Sequence, residues 1–222
     1  MNAIDLFAGC GGLSKGFMDA GFNIIVGVDN DQAALNTFEL NHDGAVGLNA
    51  DLSKHETFEE IKRIAGNREI DVIIAGPPCQ GFSLTGPRNF DDKRNRLYLA
   101  VIEMVKEYKP KGFIIENVPG MTTLYQGQIK DEILKRFRKM GYNIECKILI
   151  AADYGVPQMR KRLIFMGIRK DIGVPHFQSL NLLRKHIVLA GMQSVIFQHV
   201  LIGWEMKRMN IRNRPKQNIR NL

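Results

Sequence analysis

Several features are scarce in this chain of 222 residues, and each scarcity excludes a class of protein. The three cysteines, Cys10, Cys79 and Cys146, cannot all pair and are too few for a disulfide scaffold, which favours a reducing, cytoplasmic setting. No basic segment followed by a long apolar run opens the chain, so no secretory signal is predicted. The mostly apolar stretch 187–204 is interrupted by polar residues, which predicts a buried or interfacial helix rather than a membrane span.

Acidic residues are almost missing from the end of the chain. Residues 1–171 carry 23 Lys and Arg against 22 Asp and Glu, whereas residues 172–222 carry 8 basic residues against Glu205 alone. The net charge of +8 is typical of nucleic-acid-binding proteins, but nearly all of the excess lies in the last 51 residues. We therefore predict a folded domain over 1–171 and a basic, atypical tail over 172–222, solvated and disordered from Lys207 onward.

Short apolar segments alternate with amphipathic ones as far as residue 170, and 45% hydrophobic residues suffice for a core. This alternation predicts an α/β fold with a doubly wound, mostly parallel sheet. Two later apolar runs with no helix between them predict an antiparallel terminal hairpin with a long loop at 151–161. The predicted strands are 2–7, 23–28, 71–75, 112–115, 144–150 and 162–168, and the predicted helices are 13–20, 31–41, 57–65, 95–108 and 127–139.

A glycine-rich turn follows the first predicted strand in the segment DLFAGCGGLSKGF. Gly9, Gly11 and Gly12 allow the backbone to turn sharply and to approach a ligand where the next helix begins. The order of Ser14 and Lys15 excludes a phosphate-binding P-loop. Taken alone, this turn is a weak indication of a cofactor site.

Two carboxylates strengthen that indication. Asp29 ends the second predicted strand and suits the two hydroxyls of a ribose, although the sequence also allows it to be a surface acid or a helix cap. Asp51 falls where a third strand would end. Because the carboxyl ends of parallel strands meet at one edge of a sheet, these groups favour a cofactor that bears adenosine.

Cys79 lies in the segment GPPCQGFS, directly after the predicted strand 71–75. A cysteine in such a place is commonly a small buried hydrophobe. Here, however, two prolines fix the backbone before it, and the loop lies at the expected ligand edge, which suits a nucleophile. Glu116 and Asn117 follow the strand 112–115, and Gln158, Arg160 and Arg162 alternate as they would on entering the strand 162–168.

The ordered segments DLFAGCGGLSKGF, GVDND, NADLS, GPPCQGFS, ENVPG and QMRKR resemble the motifs of the cytosine carbon-5 DNA methyltransferase family. The resemblance covers residues 2 to about 170, and the combination of GPPCQGFS, ENV and QxRxR is highly specific. It implies a Rossmann-like methyltransferase sheet that binds S-adenosylmethionine and acts on double-stranded DNA. It also implies a bacterial or phage restriction-modification setting, with no metal and no membrane attachment.

The resemblance implies a role for each matching residue. Cys79 would add to carbon 6 of cytosine and make carbon 5 nucleophilic. Glu116 would hydrogen-bond or protonate ring nitrogen 3, and Arg162 would hold the base carbonyl, with Arg160 and Gln158 supporting the loop and nearby phosphates. The implied cofactor residues are Phe7, Gly9, Gly11, Gly12, Leu13, Asp29 (ribose), Asn30, Asp51 (adenine amino group), Leu52, Gly76, Pro77 and Leu97.

The segment 82–96, FSLTGPRNFDDKRNR, resembles the family's mobile loop, which closes over a base flipped out of the duplex. Its basic side chains, Arg88, Lys93, Arg94 and Arg96, fit a solvated loop equally well. Cys10 and Cys146 are interpreted as structural thiols.

The family pattern fades near Ile172 to Pro175, and neither a target-recognition region nor the family's Gly-Asn-containing last motif is recognisable beyond that point. Three explanations follow: a gene fragment with an out-of-frame tail, a split enzyme whose recognition half is a second polypeptide, or a compact variant. DNA cytosine methylation is the leading prediction. The alternatives are transfer-RNA cytosine methylation and a non-catalytic S-adenosylmethionine-binding remnant or subunit.

Overall fold

The computed structural model describes residues 1–78 and 96–177. Cys79, most of the predicted loop at 82–96, the predicted helix at 187–204 and the basic end of the chain therefore lie outside the described residues.

Strands and helices alternate along the described residues up to β5, and two long strands close the sheet. The strands are β1 (Asn2–Leu6), β2 (Asn23–Asp29), β3 (Val46–Asn49), β4 (Val72–Ala75), β5 (Gly112–Asn117), β6 (Tyr142–Ile150) and β7 (Lys161–Arg169). The helices are α1 (Gly12–Asp19), α2 (Gln32–Asn41), α3 (His55–Ala65), α4 (Arg96–Tyr108) and α5 (Gln128–Lys139).

The predicted fold class is confirmed. All seven strands belong to one sheet of order β3-β2-β1-β4-β5-β7-β6, in which the first five are parallel and β7 runs antiparallel to β5 and β6. Several details differ from the sequence-based prediction, and β3 was not among the predicted strands. The segment predicted as a long loop contains a 3-10 turn, Ala151–Tyr154. In addition, β5 includes Glu116 and Asn117, because its ladder with β7 continues through Glu116–Ile164 and Asn117–Leu163.

Buried apolar side chains cover both faces of the sheet, as a doubly wound fold requires. One cluster joins the sheet to α3, α4 and α5 and includes Phe58, Val101 and Phe137. The other joins it to α1 and α2 through Phe17 and Phe38. Among the described residues, no helix has both the length and the apolar character needed to cross a membrane.

Local signals in the sequence account for the ends of the helices. Asp31 caps α2, where its Oδ1 accepts the N–H groups of Ala33 and Ala34 at 2.9 and 3.2 Å. The last turn of α3 leads into Gly66, whose φ of 58° is costly for a residue with a Cβ atom. These ends return the chain to the sheet, in which the parallel strands β1–β5 finish at the same edge.

A stability test of the hairpin packing centres on Gly167 in β7. A Cβ atom at this position would lie 2.2 Å from the ring of Phe113, which is buried against Phe137 and Tyr142. We expect Gly167→Ala to lower the free energy of unfolding by about 1–3 kcal/mol, because the buried ring has to move. Urea unfolding measures the effect. Gly120→Ala is the control, since a Cβ there meets no atom within 4 Å, and equal midpoints for the two variants would contradict this packing.

Candidate active site

Two adjoining cavities lie at the edge of the sheet where β1, β2, β4 and β5 end. Their volumes are about 250 and 280 Å³, and Phe7 and Gly76 line both of them. This edge is where open α/β sheets bind their ligands. We call the first the arginine cavity, after Arg160 and Arg162 in its wall, and the second the acidic cavity, after Asp29 and Asp51.

The arginine cavity brings together side chains from β5, β7 and the turn before β7. Glu116 and Arg162 form an ion pair through Oε1 and Nε, and their side chains are 25% and 26% exposed. A carboxylate and a guanidinium fixed side by side can contact two neighbouring polar atoms of one planar ligand. The wall consists of Phe7, Ala8, Gly12, Leu13, Gly76, Glu116, Leu149, Ala151, Val156, Gln158, Arg160, Arg162 and Ile164.

The turn between β6 and β7 is closed rather than extended. The N–H of Ala151 donates to the carbonyl of Arg160 at 2.9 Å, and the N–H of Gln158 donates to the carbonyl of Val156 at 2.7 Å. Tyr154 anchors the turn in the core, where its side chain is fully buried. Gln158, Arg160 and Arg162 consequently line one cavity, as expected for alternate residues entering a strand.

The wall of the acidic cavity combines two carboxylates with several apolar groups. It is lined by Phe7, Asp29, Asn30, Ala50, Asp51, Leu52, Gly76, Pro78 and Leu97. Asp31 caps α2, so the carboxylate of Asp29 is not the cap of that helix. Instead, Asp29 accepts the N–H of Gly9 at 2.8 Å and that of Asp31 at 3.1 Å. The carboxylate is thus fixed against the glycine-rich turn.

The glycine-rich turn between β1 and α1 has an unusual backbone. Phe7 has φ = 63°, which is a genuine outlier for a bulky residue and is typical of strained functional sites. The N–H of Ala8 donates to the carbonyl of Val28 at 3.0 Å, which ties the turn to the end of β2. Gly11 has φ = 87°, and a Cβ there would collide with His42 and Phe38. The turn is held in place from both sides.

The structure distributes the predicted cofactor residues over both cavities. Gly12 and Leu13 line the arginine cavity with Glu116. Phe7 and Gly76 line both cavities, and the acidic cavity is also lined by the predicted residues Asp29, Asn30, Asp51, Leu52 and Leu97. Gly9, Gly11 and Pro77 are not among the lining residues of either cavity. The sequence prediction omitted several lining residues, namely Ala8, Ala50, Pro78, Leu149, Ala151, Val156 and Ile164. Pro78 belongs to the same dipeptide as the predicted Pro77. The other residues are apolar, and nothing in their type indicates a binding site.

One buried acid beneath the glycine-rich turn was also missed. Asp5 in β1 is fully buried, and its Oδ2 accepts the hydroxyl of Ser14 at 2.5 Å, while Oδ1 has no hydrogen-bond partner among the described residues. Burial raises the pKa of Asp5 to about 7, with a further increase from the nearby charge of Asp29, and the hydrogen bonds from Ser14 oppose this increase.

Because the pKa of Asp5 is raised in the folded chain, we expect the free energy of unfolding to fall as the pH rises. The folded chain keeps the Asp5 proton up to a pH of about 7, whereas the unfolded chain loses it near 3.8, so folding binds protons in that window. At about 1.4 kcal/mol per pKa unit, the loss between the two limits is on the order of 4 kcal/mol. Urea unfolding at a series of pH values should show this fall in the wild type.

Variants of Asp5 and of Ser14 test whether the Asp5 carboxyl group causes this loss of stability with rising pH. Asp5→Asn should flatten it, because the neutral amide does not titrate. Ser14→Ala should extend the fall to higher pH, because the hydroxyl hydrogen bond that lowers the pKa of Asp5 is lost while the backbone N–H of residue 14 remains. An Asp5→Asn variant with the wild-type pH dependence would contradict the assignment.

Within the described residues, no group of three or more His, Cys, Asp or Glu side chains is placed to hold a metal ion.

Comparison with solved structures defines the class of protein first. A DNA modification methyltransferase encoded within a prophage of E. coli has a TM-score of 0.65 and 37% identity, and the match covers 77% of this chain and 47% of that one. The S. pombe Dnmt2 methyltransferase, at 22% identity and a TM-score of 0.61, shows the same fold. The sheet is therefore that of a Rossmann-like methyltransferase.

The family follows from sequence comparison. The model of the C-5 cytosine-specific DNA methylase family matches residues 1–201, and the chain belongs to this family. The Type II methyltransferase M.XorII of Xanthomonas oryzae pv. oryzae is 44% identical over 178 residues, which cover 78% of this chain and 42% of that protein. The Type II methyltransferase M1.HphI of Haemophilus parahaemolyticus is 38% identical over 217 residues, which cover 88% and 56%, respectively.

Two facts about coverage bear on the predicted tail. The chain spans about half the length of the relatives it matches. The family match continues to residue 201 and so extends beyond Ile172, near which the recognisable motifs end. The division of the chain at residue 171 stays a prediction.

Proposed function

We propose that this chain carries the catalytic and cofactor-binding part of a DNA (cytosine-5-)-methyltransferase of the cytoplasmic, restriction-modification type. The observation that supports this most is the pairing of Glu116 with Arg162 in a cavity that shares Phe7 and Gly76 with the acidic cavity. A base in the first cavity and a methyl donor in the second would adjoin each other. The strand leading to Cys79 ends beside both.

The cofactor of this proposal is S-adenosylmethionine, which supplies an electrophilic methyl group. The acidic cavity suits it, because Asp29 offers a carboxylate to ribose hydroxyls and Asp51 offers one to the adenine amino group. Leu52, Leu97 and Pro78 provide apolar contacts for the ring. Gly76 lines both cavities, and a Cβ atom there would stand at ordinary contact distances, 3.8 Å from the carbonyl of Phe7 and 4.0 Å from the carboxylate of Glu116.

Cytosine is too weak a nucleophile at carbon 5 to accept a methyl group unaided. The thiolate of Cys79 would form a bond to carbon 6, which places the electron pair of the ring at carbon 5. Glu116 would donate a hydrogen bond or a proton to ring nitrogen 3, and Arg162 would hold the base carbonyl. After transfer, loss of the carbon-5 proton would allow the bond between sulfur and carbon 6 to break.

The proposed substrate is double-stranded DNA, from which the target base must be flipped out at a cost of a few kcal/mol. Arg160, which is exposed at the mouth of the arginine cavity, is suited to contact a nearby phosphate. Reading of the base sequence would require further residues, supplied by the rest of the protein or by a second polypeptide.

A cofactor titration paired with a methylation assay tests the proposal. We expect S-adenosylmethionine to bind with one site per chain and its labelled methyl group to appear in unmethylated duplex DNA. DNA in which 5-methylcytosine replaces every cytosine is the matched control and should accept no label. Preferential transfer to transfer RNA would indicate the alternative substrate, and binding without transfer to any nucleic acid would indicate a non-catalytic subunit.

A further inference from the structure

The side chain of Asn117 connects the ends of β4 and β5. Asn117 is 3% exposed, and its Nδ2 donates to the carbonyl of Pro77 at 3.0 Å, across 40 residues of sequence. Its Oδ1 accepts the N–H of Val118 at 2.8 Å, which fixes the orientation of the amide. The amide group therefore holds a backbone position two residues before Cys79.

The backbone at this point depends on such a side chain. Pro77 and Pro78 have no N–H, so their carbonyl groups are the backbone groups that can form hydrogen bonds. Immediately before them, the N–H of Gly76 donates to the carbonyl of Leu6 in β1 at 3.1 Å. The end of β4 is thus fastened on one side to β1 through the backbone and on the other to β5 through Asn117.

The neighbour of Asn117 in sequence is the proposed proton donor. Successive side chains of a strand point in opposite directions, so Glu116 lines the arginine cavity while Asn117 contacts the segment before Cys79. One dipeptide at the end of β5 therefore positions two elements of the proposed chemistry. A displacement of the Pro77 backbone would move the segment directly before Cys79 relative to Glu116.

We propose that Asn117 is a positioning residue, whose hydrogen bond to the Pro77 carbonyl sets the placement of the Cys79 nucleophile relative to Glu116. This inference rests on the proposed function. Asn117 is not part of the wall of the acidic cavity, so its effect falls on addition of the thiolate to the base and not on cofactor binding.

Two variants separate the hydrogen bond from the packing. Asn117→Asp keeps the shape and the acceptor for Val118 but replaces the donor by a carboxylate oxygen facing a carbonyl. Asn117→Ala removes the donor to Pro77 and the acceptor for Val118. The matched control is Asn143→Asp, because Asn143 also donates through Nδ2 to a distant carbonyl, that of Gly173 at 2.6 Å, and lies outside both cavities.

The readout is the rate of covalent capture on duplex DNA containing 5-fluorocytosine, where the carbon-5 fluorine blocks the final elimination and the bond to Cys79 persists. For Asn117→Asp and Asn117→Ala we expect this rate to fall more than tenfold, with the cofactor Kd and the KM for DNA within about twofold of wild type. Asn143→Asp should retain the wild-type rate.

The wild-type rate in Asn117→Asp would overturn the inference while leaving the proposed function intact. A fall in rate accompanied by an equal weakening of cofactor binding would also overturn it, because that indicates general loss of structure. If the wild-type protein captured no fluorinated DNA or RNA, the proposed function itself would fail, and the role of Asn117 with it.

Discussion

Replacement of Cys79 by serine is expected to abolish methyl transfer while leaving S-adenosylmethionine binding intact. The proposed reaction begins with attack of the sulfur on carbon 6, and a hydroxyl is a far poorer nucleophile than a thiol at neutral pH. Removal of a covalent nucleophile commonly reduces turnover by roughly 10³-fold or more. Cofactor binding should persist, because the groups proposed to hold the cofactor, Asp29 and Asp51 in particular, are unchanged in this variant.

The measurement is transfer of labelled methyl groups to duplex DNA, with calorimetric titration of the cofactor on the same preparations. Cys146→Ala is the control variant, because Cys146 is a half-buried thiol in β6 that packs against the larger core and lines neither cavity. It should keep turnover near the wild-type level. Substantial methyl transfer by Cys79→Ser would exclude covalent catalysis by this residue.

The architecture could be predicted from the sequence because its signals are local. Short β-branched runs bounded by turn formers indicate buried parallel strands, and the predicted limits of β1, β2 and β4 agree with the structure to within a residue or two. The hairpin of β6 and β7 followed from two apolar runs with no helix between them. The 3-10 turn at Ala151–Tyr154 was not predicted, because a single turn has too few residues to show a period.

The site was predictable where residue type carries the chemistry. Glu116, Gln158, Arg160 and Arg162 come from segments about forty residues apart, yet line one cavity. Contacts that act through the backbone could not be predicted in the same way. Nothing in the sequence indicates that Asn117 reaches the carbonyl of Pro77, since that bond depends on the register of two strands and on the absence of N–H groups in a pair of prolines.

Burial was a second source of omission. Asp5 and Ser14 are ordinary polar residues in the sequence, and their isolation from water appears only when α1 packs on β1. The same packing assigns Gly12 and Leu13 to the arginine cavity. Sequence motifs identify which residues belong to the site, but the division between two adjoining cavities is set by the path of the glycine-rich turn.

The second large effect is expected for Glu116→Gln, which should lower the turnover number by about 10²–10⁴-fold, the range typical of a lost general acid. Glutamine keeps the size of the side chain and can still donate a weak hydrogen bond to ring nitrogen 3. It has no proton to give and no negative charge to hold Arg162 in place. The KM for DNA should change much less than turnover, because most DNA contacts are made to phosphates elsewhere.

Loss of the ion pair could also reduce activity by destabilising the fold, and a second pair on α5 separates the two causes. Glu132 and Arg136 interact through Oε1 and Nε at 3.1 Å, and their side chains are 33% and 26% exposed, close to the values for Glu116 and Arg162. Partly exposed pairs of this kind contribute about 1 kcal/mol or less, so both variants should unfold at similar urea concentrations. Glu132→Gln should retain full turnover. Equal turnover in Glu116→Gln and Glu132→Gln would show that the carboxylate of Glu116 has no chemical role, whereas loss confined to Glu116→Gln at unchanged stability places the effect in the reaction itself.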